Sequence, residues 1–150
     1  MNLIGLLRRN LKDPEIIEVL DHYDFRVQYD FDRDFENRPD SYWAESLEHG
    51  FALRFDENQR LVTIFVYVQA ADGLNRCSLE TLDFDLFEDF DSARSNAERK
   101  QLRHSLNAGE PGIPQWLRIE HETHFVHYEF NDSGLRLVTL MLPETAPGAR

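Results

Sequence analysis

Apolar positions change their spacing several times along the chain, and each change marks a new element. Leu3, Ile4, Leu6 and Leu7 fall on one side of a helical turn, which predicts a short amphipathic helix at the start. Asp13 followed by Pro14 has the form of an N-cap with proline at the first helical position, and Ile16, Ile17, Val19 and Leu20 carry that helix to about His22. The period then drops to two. Tyr23, Phe25, Val27, Tyr29 and Phe31 alternate with polar residues, which predicts a strand that Pro39 brings to an end. Residues 42–47 form a weak strand candidate, and Phe51, Leu53 and Phe55 a one-faced strand. After the polar turn Asp56-Glu57-Asn58-Gln59, residues 61–68 (LVTIFVYV) are apolar on both parities and β-branched, the pattern of a central strand covered on both faces.

Asp72-Gly73 marks a turn. Beyond it Leu82, Phe84, Leu86, Phe87 and Phe90 interleave with Glu80, Asp83, Asp85, Glu88, Asp89 and Asp91, with no base among them. Ser95-Asn96-Ala97-Glu98 reads as a capping box and predicts a helix from there to about Asn107, stopped by Gly109 and Pro111. Residues 115–120, 124–130 and 135–142 read as strands, the last two joined by the turn Asn131-Asp132-Ser133-Gly134. Both halves follow one order of parts: a helix, a strand with a Trp, a one-faced strand, a polar turn and a two-faced apolar strand. Trp43 matches Trp116, Phe55 matches Phe130, and Leu61-Val62-Thr63 matches Leu137-Val138-Thr139. The expected fold is α+β, a single domain over 1–150. It comprises two tandem helix–antiparallel-meander repeats, about 1–72 and 73–142, in one sheet or two packed sheets with helices on one face. Residues 143–150 are expected to form a flexible tail. The inner face is expected to carry Phe51, Leu53, Phe55, Val126, Tyr128 and Phe130.

At 41% apolar and 12% aromatic residues the chain is too hydrophobic for a disordered one. No apolar run approaches the ~20 residues of a membrane-spanning helix. The single cysteine, Cys77, forms no internal disulfide and builds no cysteine-based zinc site. The short apolar start is followed by Arg8 and Arg9, the reverse of a secretory signal, so a reducing cytoplasm is the expected compartment. Sixteen Lys and Arg against 28 Asp and Glu leave a net charge of −12. Such a surface repels nucleic acid and anionic membranes and suits a basic partner.

No catalytic reading of these residues is expected to hold. His121, His124 and His127 at a spacing of three would share a helix face and could bind zinc. Val126, Tyr128 and Phe130 indicate a strand there, which turns His124 and His127 to opposite faces. The zinc-protease spacing also requires histidine where Phe125 stands. Asp30-Phe31-Asp32-Arg33-Asp34-Phe35 carries the acids of a calcium loop but puts Phe where Gly is required. The many carboxylates single out no acid/base pair, Cys77 has no neighbouring His, and the seven glycines make no phosphate-cradling loop. No catalytic residue, cofactor or metal is therefore expected.

Gly50-Phe51-Ala52-Leu53-Arg54-Phe55, Leu61-Val62-Thr63-Ile64-Phe65, Gly109-Glu110-Pro111 with Trp116, and residues 135–141 together resemble a family of small bacterial immunity proteins. These are encoded beside polymorphic or contact-dependent toxins. The grammar is also similar to the tandem-repeat fold of β-lactamase inhibitory protein. The resemblance covers roughly residues 42–142. It implies a cytoplasmic protein that binds and occludes a cognate basic toxin domain, such as a nuclease, without catalysis. Asp30, Asp32, Asp34, Glu36, Asp83, Asp85, Glu88 and Asp89 are the expected charges of that interface, and Phe31, Phe35, Phe87 or Phe90 its anchors. The chain is expected to be a monomer or weak homodimer. Two alternatives stand beside this reading: a small metal-dependent hydrolase using the histidine region, and a structural subunit of a homo-oligomer.

Overall fold

A computed structural model describes residues 2–30 and 40–146. Two helices, α1 (Pro14–His22) and α2 (Phe90–Arg99), accompany eight strands. The strands are β1 (Arg26–Asp30), β2 (Ser41–Ser46), β3 (Phe51–Phe55), β4 (Leu61–Tyr67), β5 (His104–Asn107), β6 (Gln115–Glu120), β7 (Phe125–Asn131) and β8 (Gly134–Met141). All eight form one antiparallel sheet in the order β1-β2-β3-β4-β8-β7-β6-β5. Two four-stranded meanders therefore meet at their last strands, β4 and β8, in the middle of the sheet. This is an α+β fold.

One face of the sheet is the core. Phe51, Leu53 and Phe55 from β3 and Val126, Tyr128 and Phe130 from β7 are all buried on it, as their alternation predicts. The helices pack on this face. Tyr23, at the end of α1, meets Phe51 edge-on at 5.5 Å, and Phe90 of α2 meets Phe130 at 6.1 Å. Burial of Ile16, Ala93 and Ala97 completes the contact. Asp13 caps α1 by accepting the Glu15 amide at 2.9 Å, with Pro14 at the first helical position.

Three local expectations change. The first helix shrinks to a 3-10 turn, Ile4–Leu6, because Arg8 turns to a φ of 76° and the backbone then pairs with β4 (Arg8 N–H to Leu61 C=O, 2.8 Å; Leu61 N–H to Arg9 C=O, 2.8 Å). The second helix begins earlier and ends earlier than the capping box suggests. Asp89 is its cap, Ser95–Glu98 lie inside it, and Gln101 at φ 54° closes it. His104 and Leu106, whose spacing from Leu102 reads as helical, instead pair with Ile119 and Leu117 in β6. Sheet pairing outweighs a weak helical pattern there. Finally, a register shift in each half sets Leu61 opposite Phe55 but Leu135, not Leu137, opposite Phe130. The two Leu-Val-Thr strings are thus two positions out of step.

Candidate functional site

The acidic-aromatic segment is a strap across the core face of the second meander. Leu82, Phe84, Leu86 and Phe87 turn inward onto the core, while Asp83, Asp85, Glu88 and Asp89 are exposed. Alternation along an extended chain produces this division from Leu82 to Leu86; beyond it Phe87 also turns inward, and Glu88 and Asp89 both stay exposed. The strap is tied down at several points. Leu3 and Ile4 donate their amides to the Asp83 carboxylate at 3.2 and 3.4 Å. The Tyr128 hydroxyl donates to the Asp85 carbonyl at 2.8 Å, and Phe87 packs edge-on against the same ring at 5.2 Å. Burial raises the Tyr128 phenol pKa well above its ordinary value. Lys100, the C-cap of α2, stands 3.9 Å from the Asp85 carboxylate. Asp89 accepts the Ser92 amide at 2.8 Å, and hydrogen bonding to Ser92 holds its carboxyl below the usual range.

Of the residues expected to form an interface, four acids therefore share one exposed ridge. Phe90 does not join them: at 4% exposure it belongs to the core, held there as the first residue of α2. Phe87 is half-buried beneath the ridge and lines a groove of about 280 Å³ with Val68, Leu79, Leu86, Glu88 and Leu135. Leu79, 44% exposed on the lip, is an apolar contributor that the alternation did not single out. Phe31, Asp32, Asp34, Phe35 and Glu36 lie outside the described residues. Asp30 is the last residue of β1.

Among the histidines, His121 and His124 stack at 4.7 Å ahead of β7, and Thr123 Oγ1 lies 2.9 Å from His124 Nδ1. Desolvation and the neighbouring His121 lower the His124 pKa. His127 sits on the opposite face of the sheet, stacked on Trp116 at 5.0 Å. Burial, with help from Arg118, brings its pKa down to about 4. Among the described residues no three His, Cys, Asp or Glu side chains converge on a point where an ion could sit. Cys77 is buried, and desolvation pushes its thiol up to about 11, which leaves it without nucleophilic thiolate at neutral pH.

The sheet's outer face carries no described helix. Outward positions include Trp43, stacked on Phe65 at 5.8 Å, with Tyr67, Leu137 and Phe125. Its second half is laced with ion pairs: Arg118 to Glu120 at 3.1 Å and Arg136 Nε to Glu129 at 2.7 Å. Register pairing was needed to find this surface, because it depends on which residues oppose one another across strands.

No family model, curated protein or solved structure matches the chain. Among the described residues no helix is long and apolar enough to cross a membrane.

Proposed function

We propose that the chain is an immunity-type binding protein, acting in the cytoplasm on a basic toxin domain that it occludes without catalysis. One arrangement carries this reading. An apolar groove, lined by Leu79, Leu86 and Phe87, is bordered by Glu88 and continues into a ridge of exposed Asp83, Asp85 and Asp89. Interfaces of high affinity combine an apolar pocket that receives an anchor with a charged surround that steers the encounter. A lysine- or arginine-rich partner inserting one apolar side chain fits both parts. The ridge is also held in place before any partner arrives, because Asp83, Asp85 and Asp89 are each tied to the core or to α2. Preorganisation lowers the entropy cost of binding.

The two meanders are further proposed to be tandem repeats. Trp43 opposes Arg54 and Trp116 opposes Glu129, and the register shifts fall at Arg54/Phe55 and Glu129/Phe130. Corresponding residues of the second strands and corresponding shifts support a common origin for the halves.

The test of the functional reading is protection of cells expressing a toxin domain encoded beside this gene. Wild-type protein should protect. Asp83→Asn/Asp85→Asn/Glu88→Gln should weaken protection and slow association, most strongly at low salt. If the triple variant protects and binds as wild type does, the ridge is not the interface.

A further inference from the structure

We propose that the edge strand β1 is the seam of a homodimer: two copies of this chain pair antiparallel along it and join their sheets into one continuous sheet. β1 stands at the end of the strand order, and among the described residues no strand pairs with its second side. Such an edge offers a row of N–H and C=O groups to another chain, and proteins ordinarily blunt it with lysine, proline, a bulge or a cover. The strand reads RVQYD, with no lysine or proline, and it pairs with β2 without a register shift. At the opposite edge of the sheet β5 has four residues, every one half-buried. On β1, by contrast, Arg26, Val27, Gln28 and Tyr29 are all exposed. Val27 is 46% and Tyr29 48% exposed, and both stand on the side of the sheet that elsewhere forms the core, opposite Ala44 and Tyr42.

The strand is complementary to its own reverse. A two-fold axis at Gln28, perpendicular to the sheet, sets Arg26 opposite Asp30 of the second copy, Val27 opposite its Tyr29, and Gln28 opposite its Gln28. Every position then has a suitable counterpart: opposite charges at the ends, a β-branched residue against an aromatic one on the inner face, and amide against amide at the centre. Within its own chain Arg26 lies opposite Glu45, and a guanidinium has donors enough for a carboxylate on either side. Tyr29 is held ready for the contact. Its ring lies 4.8 Å from that of Tyr42, and its hydroxyl donates to the Asp40 carboxylate. The two Val27–Tyr29 pairs, one on each side of the axis, form one apolar cluster from side chains that a single copy leaves open to water.

This reciprocity selects a second copy over an unrelated strand as the occupant, and it selects the register. A slip of one residue turns the second sheet over, because it sets Val27 against Gln28 and so one face against the other. A slip of two residues keeps the faces but shortens the pairing and sets Arg26 against Gln28. Only the axis at Gln28 matches charge and polarity along the whole strand. A seam of five residues from each copy lies at the low end of interface sizes, so the dimer is a weak one. The helices of both copies fall on one side of the joined sheet. The acidic strap crosses the second meander, and β1 is the far edge of the first, so failure of this pairing leaves the toxin-binding reading untouched.

Sedimentation equilibrium and cross-linking test the seam, with circular dichroism confirming that each variant is folded. The wild type should dimerise within about 1 µM to about 1 mM. Val27→Lys, at an exposed position, should weaken the dimer about tenfold or more, since it puts a charge from each copy into the apolar cluster. Gln28→Cys puts a thiol from each copy on the axis, where opposed Cα atoms about 4.5–5.5 Å apart are within disulfide reach. Arg26→Cys sets its two thiols roughly 14 Å apart along the seam, beyond that reach. With oxidised glutathione as the oxidant, Gln28→Cys should become a disulfide-linked dimer, while Arg26→Cys and the wild type, whose Cys77 is buried, should not. A wild type that stays monomeric to about 1 mM overturns the proposal, as does a dimer indifferent to Val27→Lys. Cross-linking of Arg26→Cys as readily as Gln28→Cys overturns the register and with it the two-fold pairing.

Discussion

His127 and Tyr128 are adjacent in β7 and point to opposite faces of the sheet, and their surroundings differ in kind. Tyr128 is covered by the strap: Phe87 lies against its ring, and its hydroxyl reaches the Asp85 carbonyl. His127 lies under the Trp116 ring, between Arg118 and Thr139 of the neighbouring strands, and its buried Nδ1 has no hydrogen-bond partner among the described residues. Polar groups on the inner face are satisfied by elements laid over them. On the outer face the buried His127 Nδ1 has no such partner among the described residues. Buried polar groups are as a rule hydrogen-bonded, which makes His127 the exception beside the satisfied Tyr128.

The contrast is broken most severely by substitutions that should act on one face alone. Phe90→Ala removes a ring packed on Phe130 and should cost about 3–5 kcal/mol of unfolding free energy, read by urea denaturation. Trp43→Ala, on the outer face where its ring stacks on Phe65, should cost clearly less. Equal losses of stability from the two would mean that both faces are equally part of the core.

Next in size is the pH response of His127. Its folded pKa, about 4, lies below the 6.5 of an unhindered histidine. Between those values the unfolded chain binds a proton that the folded one refuses, so stability falls as pH is lowered from 6.5 towards 4. The loss attributable to this residue should reach about 2–3 kcal/mol by pH 4.5. His127→Gln should lose that part of the slope while behaving like wild type at pH 7.5. Parallel pH profiles for the two proteins would show that the ring is not buried in this way.

Gly134 lets the strap approach the start of β8 closely. Its φ is 109°, and a Cβ there would come within 2.7 Å of the Glu88 carbonyl oxygen. Gly134→Ala should therefore cost about 1–3 kcal/mol and loosen the acidic ridge as well. Faster amide exchange over residues 85–89 is the specific readout. Smaller again is Asp13→Ala, which removes the cap of α1 and should cost about 1 kcal/mol without changing any binding property.

Most strands were legible because half-buried antiparallel strands write their facing into alternate residues, as Phe51, Leu53 and Phe55 do. The start of α1 was legible from Asp13-Pro14. What escaped depended on partners distant in the chain. His104 to Asn107 became a strand because β6 lies alongside, and nothing local to Leu102 and Leu106 announces that. Phe84, Phe87 and Phe90 look alike in sequence, yet Phe90 opens a helix into the core while Phe87 floors a groove. Their separation is decided by Asp89, whose role as a cap is hidden among five similar acids in residues 80–91.

The most direct measurement of the central claim is the association kinetics of this protein with the toxin domain it is proposed to occlude, at about 50 mM and about 200 mM salt. Wild-type association should slow markedly as salt rises, and Asp83→Asn/Asp85→Asn/Glu88→Gln should lower the on-rate and flatten that dependence with little effect on the off-rate. Leu79→Ala, at the lip of the groove, should raise the off-rate instead. Unchanged kinetics in the triple variant at both salt concentrations would contradict the assignment of the acidic ridge as the binding face.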